Sequence, residues 1–251
     1  MSERVELTPA FVLHRRPYRD TSLLLELFSP HHGRVGAIAR GGRGPKSRLR
    51  GVLQPFLPLR CSWRGRGELH TLTQAEAAGI PLLLTPPHTF YGLYLNELLI
   101  RLWPRDDPAP ALFARYGHTL AALAGPAPEA ALRVFERDLL AELGYALELQ
   151  HDIHGRPLEA DRRYQCRPGH PPRPVAAGEA GLPGEALLDL AAGRPSRHRA
   201  ELRRLTRAAL APLLGGRPLR SRALFRAYRR RSGTNEGEED IITLSDEGGR
   251  E

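Results

Sequence analysis

The sequence predicts an α+β protein whose strands come first and whose helices follow. Three observations carry that expectation. Over the first 80 residues, apolar residues recur in short, partly alternating runs set apart by turn-forming residues, the period-two signature of half-buried strands. After Pro87 the apolar spacing lengthens to that of helices. A chain of 251 residues with 41% hydrophobic content can bury a core of ordinary size. The expected boundaries are 1–80 for the strand domain and 81–231 for a helical domain with an irregular loop insertion at about 150–180. A disordered acidic tail is expected over 232–251.

The strands read in order as follows. Ala10–His14 is an apolar run, and Thr21–Phe28 sets Leu23, Leu25 and Leu27 on one face and Glu26 on the other. Arg34–Arg40 alternates Val35, Ala37 and Ala39 against Gly36, Ile38 and Arg40. Val52–Cys61 is apolar but holds Pro55 and Pro58, which assigns it to an edge or bulged strand. Glu68–Thr73 alternates again through Leu69 and Leu72. Turn signals fall at Tyr18–Asp20, Pro30–Gly33, Gly41–Pro45 and Gly65–Gly67. Five short strands so spaced suit a small closed barrel, with the OB-fold as the natural candidate.

The helices follow. Thr89–Trp103 places Leu93, Leu95, Leu98, Leu99 and Leu102 at helical spacing, and Pro110–Leu123 reads as a second helix. Pro128–Leu143 has proline in its first turn, a stripe of Leu132, Phe135, Leu139, Leu140 and Leu143, and Gly144 to stop it. His151–Gly178 reads as loop, crowded with Pro, Gly, His and Arg. Gly184–Leu190, Ala200–Leu214 and a basic Leu219–Arg230 complete the helical set.

The formal net charge is +9, carried by arginine because lysine is nearly absent. Such an excess favours an anionic partner, nucleic acid before an acidic membrane surface. No stretch approaches the ~20 apolar residues of a membrane span. Glu3 and Glu6 precede a short apolar run, so no signal peptide is expected. Two cysteines, Cys61 and Cys166, make no disulfide framework. A cytoplasmic location is expected.

The charge is concentrated in "GRVGAIARGGRGPKSRLRG", Gly33–Gly51, which carries Arg34, Arg40, Arg43, Lys46, Arg48 and Arg50 and no acid. Arg60, Arg64 and Arg66 extend it, again without a carboxylate between them. Guanidinium groups pair with phosphates, and glycines let the backbone come close. This predicts a phosphate-binding surface, with Trp63 available to stack on a base. The stretch "GGRGPKS" is not a nucleotide-binding loop, since Pro45 takes the glycine position before Lys46 and Gly51 with two later prolines breaks any following helix.

Other constellations are weaker. His151, His154, Cys166 and His170 offer nitrogen and sulfur ligands with loosely finger-like spacing, but Arg162, Arg163 and Arg167 disfavour a dication there. Arg133 and Arg137, four apart on one helix, would either hold an acidic peptide beside an apolar groove or form a solvated face with Glu129 and Glu136. "RPLRSRALFRAYRR" reads as a helix anchored on Leu224 and Phe225 whose basic stripe would either meet phosphates or belong to a soluble capping helix. The tail "EGEEDIITLSDE" is acidic with an apolar centre, suited to a solubilising tail or to folding back on the basic helices. There is no G-x-S-x-G, no H-E-x-x-H and no converging set of acids for two metals. Binding of a polynucleotide is expected, without catalysis and without a cofactor.

Taken together, these stretches resemble the RecO family of bacterial DNA-repair and recombination proteins. "AFVLHRRPYRDTSLLLELFSPHHGRVGAIARGGR" is similar to the start of the family's OB domain. "LQPFLPL", "GRGELHTLTQAEA", "LYLNELLIRL", "LRVFERDLLAELGYALEL" and "LGGRPLRSRALFRAY" resemble later landmarks, in order, across Phe11–Tyr228. The resemblance implies an OB-fold and an α-helical domain, and binding and annealing of single- and double-stranded DNA. It implies partnership with RecR, and handover of DNA coated by single-strand-binding protein to RecA. It further implies nucleoid association and contact between the helical domain and that protein's acidic C-terminal tail. Arg133 falls at the basic contact of that motif, with Arg137 beside it. Members with a four-cysteine zinc site carry it after the long helix; here only Cys166 stands in that region, which places the chain with the metal-free branch. From charge alone, an OB-fold RNA-binding or ribosome-associated protein is the alternative, and a small zinc hydrolase on the His/Cys loop is the enzymatic one.

Overall fold

A computed structural model describes residues 3–176 and 178–232. The acidic stretch from Gly233 on lies outside the described residues. The chain forms two compact units, Met1–Thr85 with Leu95–Ala121, and Pro86–Tyr94 with Ala122–Glu251.

The first unit is built on a closed five-stranded barrel. Its strands are β1 (Glu3–Tyr18), β2 (Ser22–Ser29), β3 (Gly33–Ala39), β4 (Leu59–Gly65) and β5 (Leu69–Ala77), in the order β1-β2-β3-β5-β4. The β3–β5 pair is parallel and the others are antiparallel. β1 closes the ring by pairing β4 over Glu3–Ala10 and β2 over Phe11–Tyr18, with a register shift in each ladder. The alternation of the sequence is obeyed: Leu23, Leu25, Leu27, Val35, Ala37 and Ala39 point into the core. Between β3 and β4 the sequence is not an edge strand. A single helical turn, α1 (Leu49–Val52), is followed by irregular chain through Pro55 and Pro58, where Phe56 takes a φ of 66°. Two prolines without N–H groups, three residues apart, leave too few donors for a ladder.

Two helical stretches complete this unit: the later turns of α2 (His88–Leu102) and most of α3 (Pro110–Ala122). Phe113 and Tyr116 of α3 pack on Phe11 with ring centroids 5.3 and 5.1 Å away. Asn96 donates to the Leu13 carbonyl at 2.8 Å and accepts from the Tyr116 hydroxyl at 2.5 Å. Gly33 has a φ of +58°, and a Cβ there would lie 1.9 Å from the Asp107 carbonyl oxygen. Backbone conformation and space therefore both demand glycine.

The second unit contains α4 (Pro128–Glu142), α5 (Gly184–Ala192), α6 (Arg199–Leu210) and α7 (Arg220–Ser232). α4 starts on Pro128, and just past its end Gly144, with a φ of +82°, sets up the Tyr145 N–H bond to the Leu140 carbonyl at 2.8 Å. The segment expected as loop instead contains a small sheet: β6 (Arg163–Gln165), β7 (Arg173–Pro174) and β8 (Leu182–Pro183), in the order β7-β6-β8. Tyr164 supplies the missing reason. It is buried with Leu158, Leu187, Leu190 and Leu202, and its hydroxyl accepts the Glu159 N–H at 2.9 Å.

Candidate nucleic-acid interface and a basic cavity

The loop from Arg40 to Arg48 is pinned by its backbone. Arg43 N–H donates to the Thr21 carbonyl at 2.8 Å, and Gly44 and Ser47 close successive turns. The side chains of Arg40, Arg43, Lys46, Arg48 and Arg50 are exposed. Arg43 reaches the Arg19 carbonyl at 3.3 Å; none of these five is ion-paired to a carboxylate among the described residues. Arg64 is exposed on β4, and the ladders align it with Thr71 of β5 and, across that strand, with Ile38 of β3. With strands ~4.8 Å apart, Arg64 belongs to the same outer wall as the start of the Arg40 loop. Arg66 is exposed in the β4–β5 turn, toward the other end of that wall.

Arg34 differs from the other seven. It is half-buried and donates to the Ile100 carbonyl, and its Nε has no hydrogen-bond partner. Burial holds its guanidinium below the ordinary value, opposed by nearby Glu26. The geometry makes it a brace within the first unit. Trp63 is 1% exposed and sits in the barrel core, edge-on to His32 at 5.3 Å. It has no face to offer a base. Strand alternation placed it inward: Cys61 and Trp63, two apart on β4, share the face that points into the core.

The loop contact also adds residues. Arg43 is held against the turn that carries Arg19, which is exposed beside Tyr18 at 5.3 Å, and Arg16 is exposed on β1. The signal was in "RRPYRD", three arginines in five residues ahead of a turn, but the sequence places them far from Arg43.

In the second unit, α4, α6, α7 and the chain around Pro126 and Pro195 enclose a cavity of about 560 Å³. Its apolar wall includes Val134, Leu190 and Phe225. Five arginines line it, Arg133, Arg194, Arg199, Arg203 and Arg229, against one carboxylate, Glu129. Arg133 is 4% exposed, not on a solvated face. It donates to Glu136 Oε1 at 2.8 Å, and Tyr94 donates to the same oxygen at 2.5 Å. Glu136 is fully buried. Arg207 is buried nearby, its guanidinium held down by burial and by the cations Arg222 and Arg133. Arg222 itself lies 5.9 Å over the Tyr94 ring. Glu136 thus pairs directly with Arg133 and acts electrostatically on Arg207, so cations are gathered in a low-dielectric interior.

Arg137 is not part of the cavity lining. Its NH1 donates to the Leu190 and Ala191 carbonyls at 2.6 and 2.8 Å, closing the last turn of α5. Arg199, Arg203 and Arg229 could not be found by spacing, because α6 and α7 bring them to Arg133 from 66 or more residues away.

Among the described residues no group of three or more His, Cys, Asp or Glu is placed to hold a metal ion. His151 stands 3.9 Å from Glu148, and the Asp152 carboxylate accepts the N–H groups of His154 and Arg156, so it braces the turn. Cys166 and His170 complete no cluster with them. Burial pushes the Cys166 thiol up to about 11. No helix among the described residues is long and apolar enough to cross a membrane.

The sequence has known counterparts. The family model described as "Recombination protein O N terminal" matches residues 1–81, and "Recombination protein O C terminal" matches residues 85–223. The chain is 50% identical over 206 residues to DNA repair protein RecO of Pseudomonas aeruginosa (strain UCBPP-PA14), covering 80% of this chain and 87% of that one. It is 52% identical over 169 residues to DNA repair protein RecO of Coxiella burnetii (strain CbuG_Q212), covering 67% and 73% respectively. A barrel with a cationic outer wall, a helical unit and two family matches that together span residues 1–223 establish that this chain belongs to the RecO family of DNA repair proteins.

Proposed function

We propose that the protein is a recombination mediator that binds single- and double-stranded DNA on the barrel and anneals complementary strands. It acts with RecR to load RecA on DNA coated by single-strand-binding protein. The observation that carries the DNA reading is the group of exposed cations, Arg40, Arg43, Lys46, Arg48, Arg50 and Arg64, that lack carboxylate partners among the described residues. Two strands repel each other through their phosphates. A surface that neutralises both lowers the barrier to pairing and needs no bond to break. Arg66 extends the surface, and Arg16 and Arg19 join it.

The tail of single-strand-binding protein is assigned to the arginine-lined cavity. An acidic peptide ending in apolar side chains matches a wall of Val134, Leu190 and Phe225 beneath five arginines. Arg133 is the contact within it; Arg137 supports α5 and is left out.

The test is a salt series. Binding of a labelled single strand is expected to weaken with a log–log slope of about −0.7 per phosphate neutralised, and annealing to slow in parallel. Affinity that ignores salt sinks the assignment. Matched RNA and DNA oligonucleotides in the same series separate this reading from an RNA-binding one. An acidic tail peptide should compete poorly with DNA, since it uses the other unit.

A further inference from the structure

We propose that residues 236–246 of this chain dock in the arginine-lined cavity of its own helical unit and thereby regulate access to it. The regulatory part rests on the reading of that cavity as a partner's peptide site; the docking itself does not.

The cavity asks for an anion. Arg133 lines it, is 4% exposed, and its Nε has no hydrogen-bond partner. Behind Arg133, buried Arg207 feels the cations Arg222 and Arg133 as well as Glu136. A carboxylate entering beside Arg133 would relieve that excess charge, and the volume of about 560 Å³ leaves room for apolar side chains against Val134 and Phe225. This lies within the ~300–1,000 Å³ range of ligand pockets.

The chain supplies a segment of the matching chemistry. Glu236, Glu238, Glu239 and Asp240 come first, then Ile241, Ile242 and Leu244. They contrast with the net basic charge of everything before them. The tether is short. Tyr228 and Arg229 of α7 already line the cavity, and α7 ends at Ser232. Ile241 follows nine residues later, a span of up to ~30 Å when extended. A linker of that length gives an effective concentration on the order of 1 mM. Intrinsic affinity of only ~100 μM would then fill the cavity about ten times out of eleven and weaken an external peptide about tenfold.

The experiment keeps the full chain. The variant I241S/I242S/L244S alters no residue of the described fold. Fluorescence anisotropy with a labelled peptide of residues 236–246 is expected to give about tenfold tighter binding to the variant than to the parent. Equal affinities overturn the proposal. A photo-reactive residue at Ile242 should cross-link within one chain to peptides containing Val134 or Phe225, and R199E should diminish that product. Cross-links made elsewhere, or only between chains, also overturn it.

A third probe, the acidic tail peptide of a single-strand-binding protein, separates the two readings. If it binds parent and variant equally, cis docking is overturned and the partner site stands. If it binds neither, the partner reading fails, and the labelled 236–246 peptide and the cross-link decide docking.

Discussion

The barrel and the helical unit use the same residue for opposite purposes. On the barrel, Arg40, Arg43, Arg48, Arg50 and Arg64 stand in water. In the helical unit, Arg133 and Arg207 are 4% and 5% exposed, and Arg133 is paired with the buried Glu136. A guanidinium in water is nearly neutral for stability and strongly salt-screened. A guanidinium in the interior is costly to leave unpaired and nearly indifferent to salt. Position in the fold, rather than the count of arginines, therefore decides which of them the chain can change without unfolding.

The largest effect is expected where the buried set loses its carboxylate. Glu136→Ala removes the acceptor for both Arg133 and Tyr94. It should destabilise the helical unit by about 3–5 kcal/mol in denaturant unfolding. A loss below 1 kcal/mol would show that the buried charges are compensated in another way, and the contrast would collapse.

The converse is expected on the barrel. The triple change R43A/K46A/R48A should leave unfolding within about 0.5 kcal/mol of the parent. It should flatten the salt slope of single-strand binding by about 2. Unaltered binding would move the DNA surface elsewhere. Trp63→Phe should do the reverse, lowering stability by about 1–2 kcal/mol through lost core volume while DNA affinity stays within twofold. A selective loss of affinity would return Trp63 to the interface.

The smallest effect compares the two thiols. Burial raises Cys61 in the barrel to about 12 and Cys166 in the helical unit to about 11. Raised thiols carry little thiolate at pH 8, so alkylation should be slow for both and rise about tenfold per pH unit until each thiol titrates. Cys166, half-buried, should react before buried Cys61. Mass spectrometry after timed iodoacetamide exposure checks the order.

Sequence reasoning read the barrel well where one physical rule dominated. Leu23, Leu25 and Leu27 face the core because a strand alternates, and Pro128 and Gly144 bound their helix because caps are local. It failed where tertiary packing ruled. Arg34 and Trp63 lie in a cationic stretch, yet one braces against Ile100 and the other fills the barrel. The β6–β8 sheet rests on strands of two or three residues, too short to show a period. The cavity joins residues from Pro87 to Arg229, and no window of sequence spans that distance.

The long first strand has a practical consequence. Its opening half is what covers β4, so a shortened chain that starts near Phe11 would leave the β4 backbone as an open rim. Open rims recruit strands from neighbouring molecules. Any trimming or tagging scheme for this protein should leave the first ten residues in place, or it will be studying a sticky sheet in place of a ring.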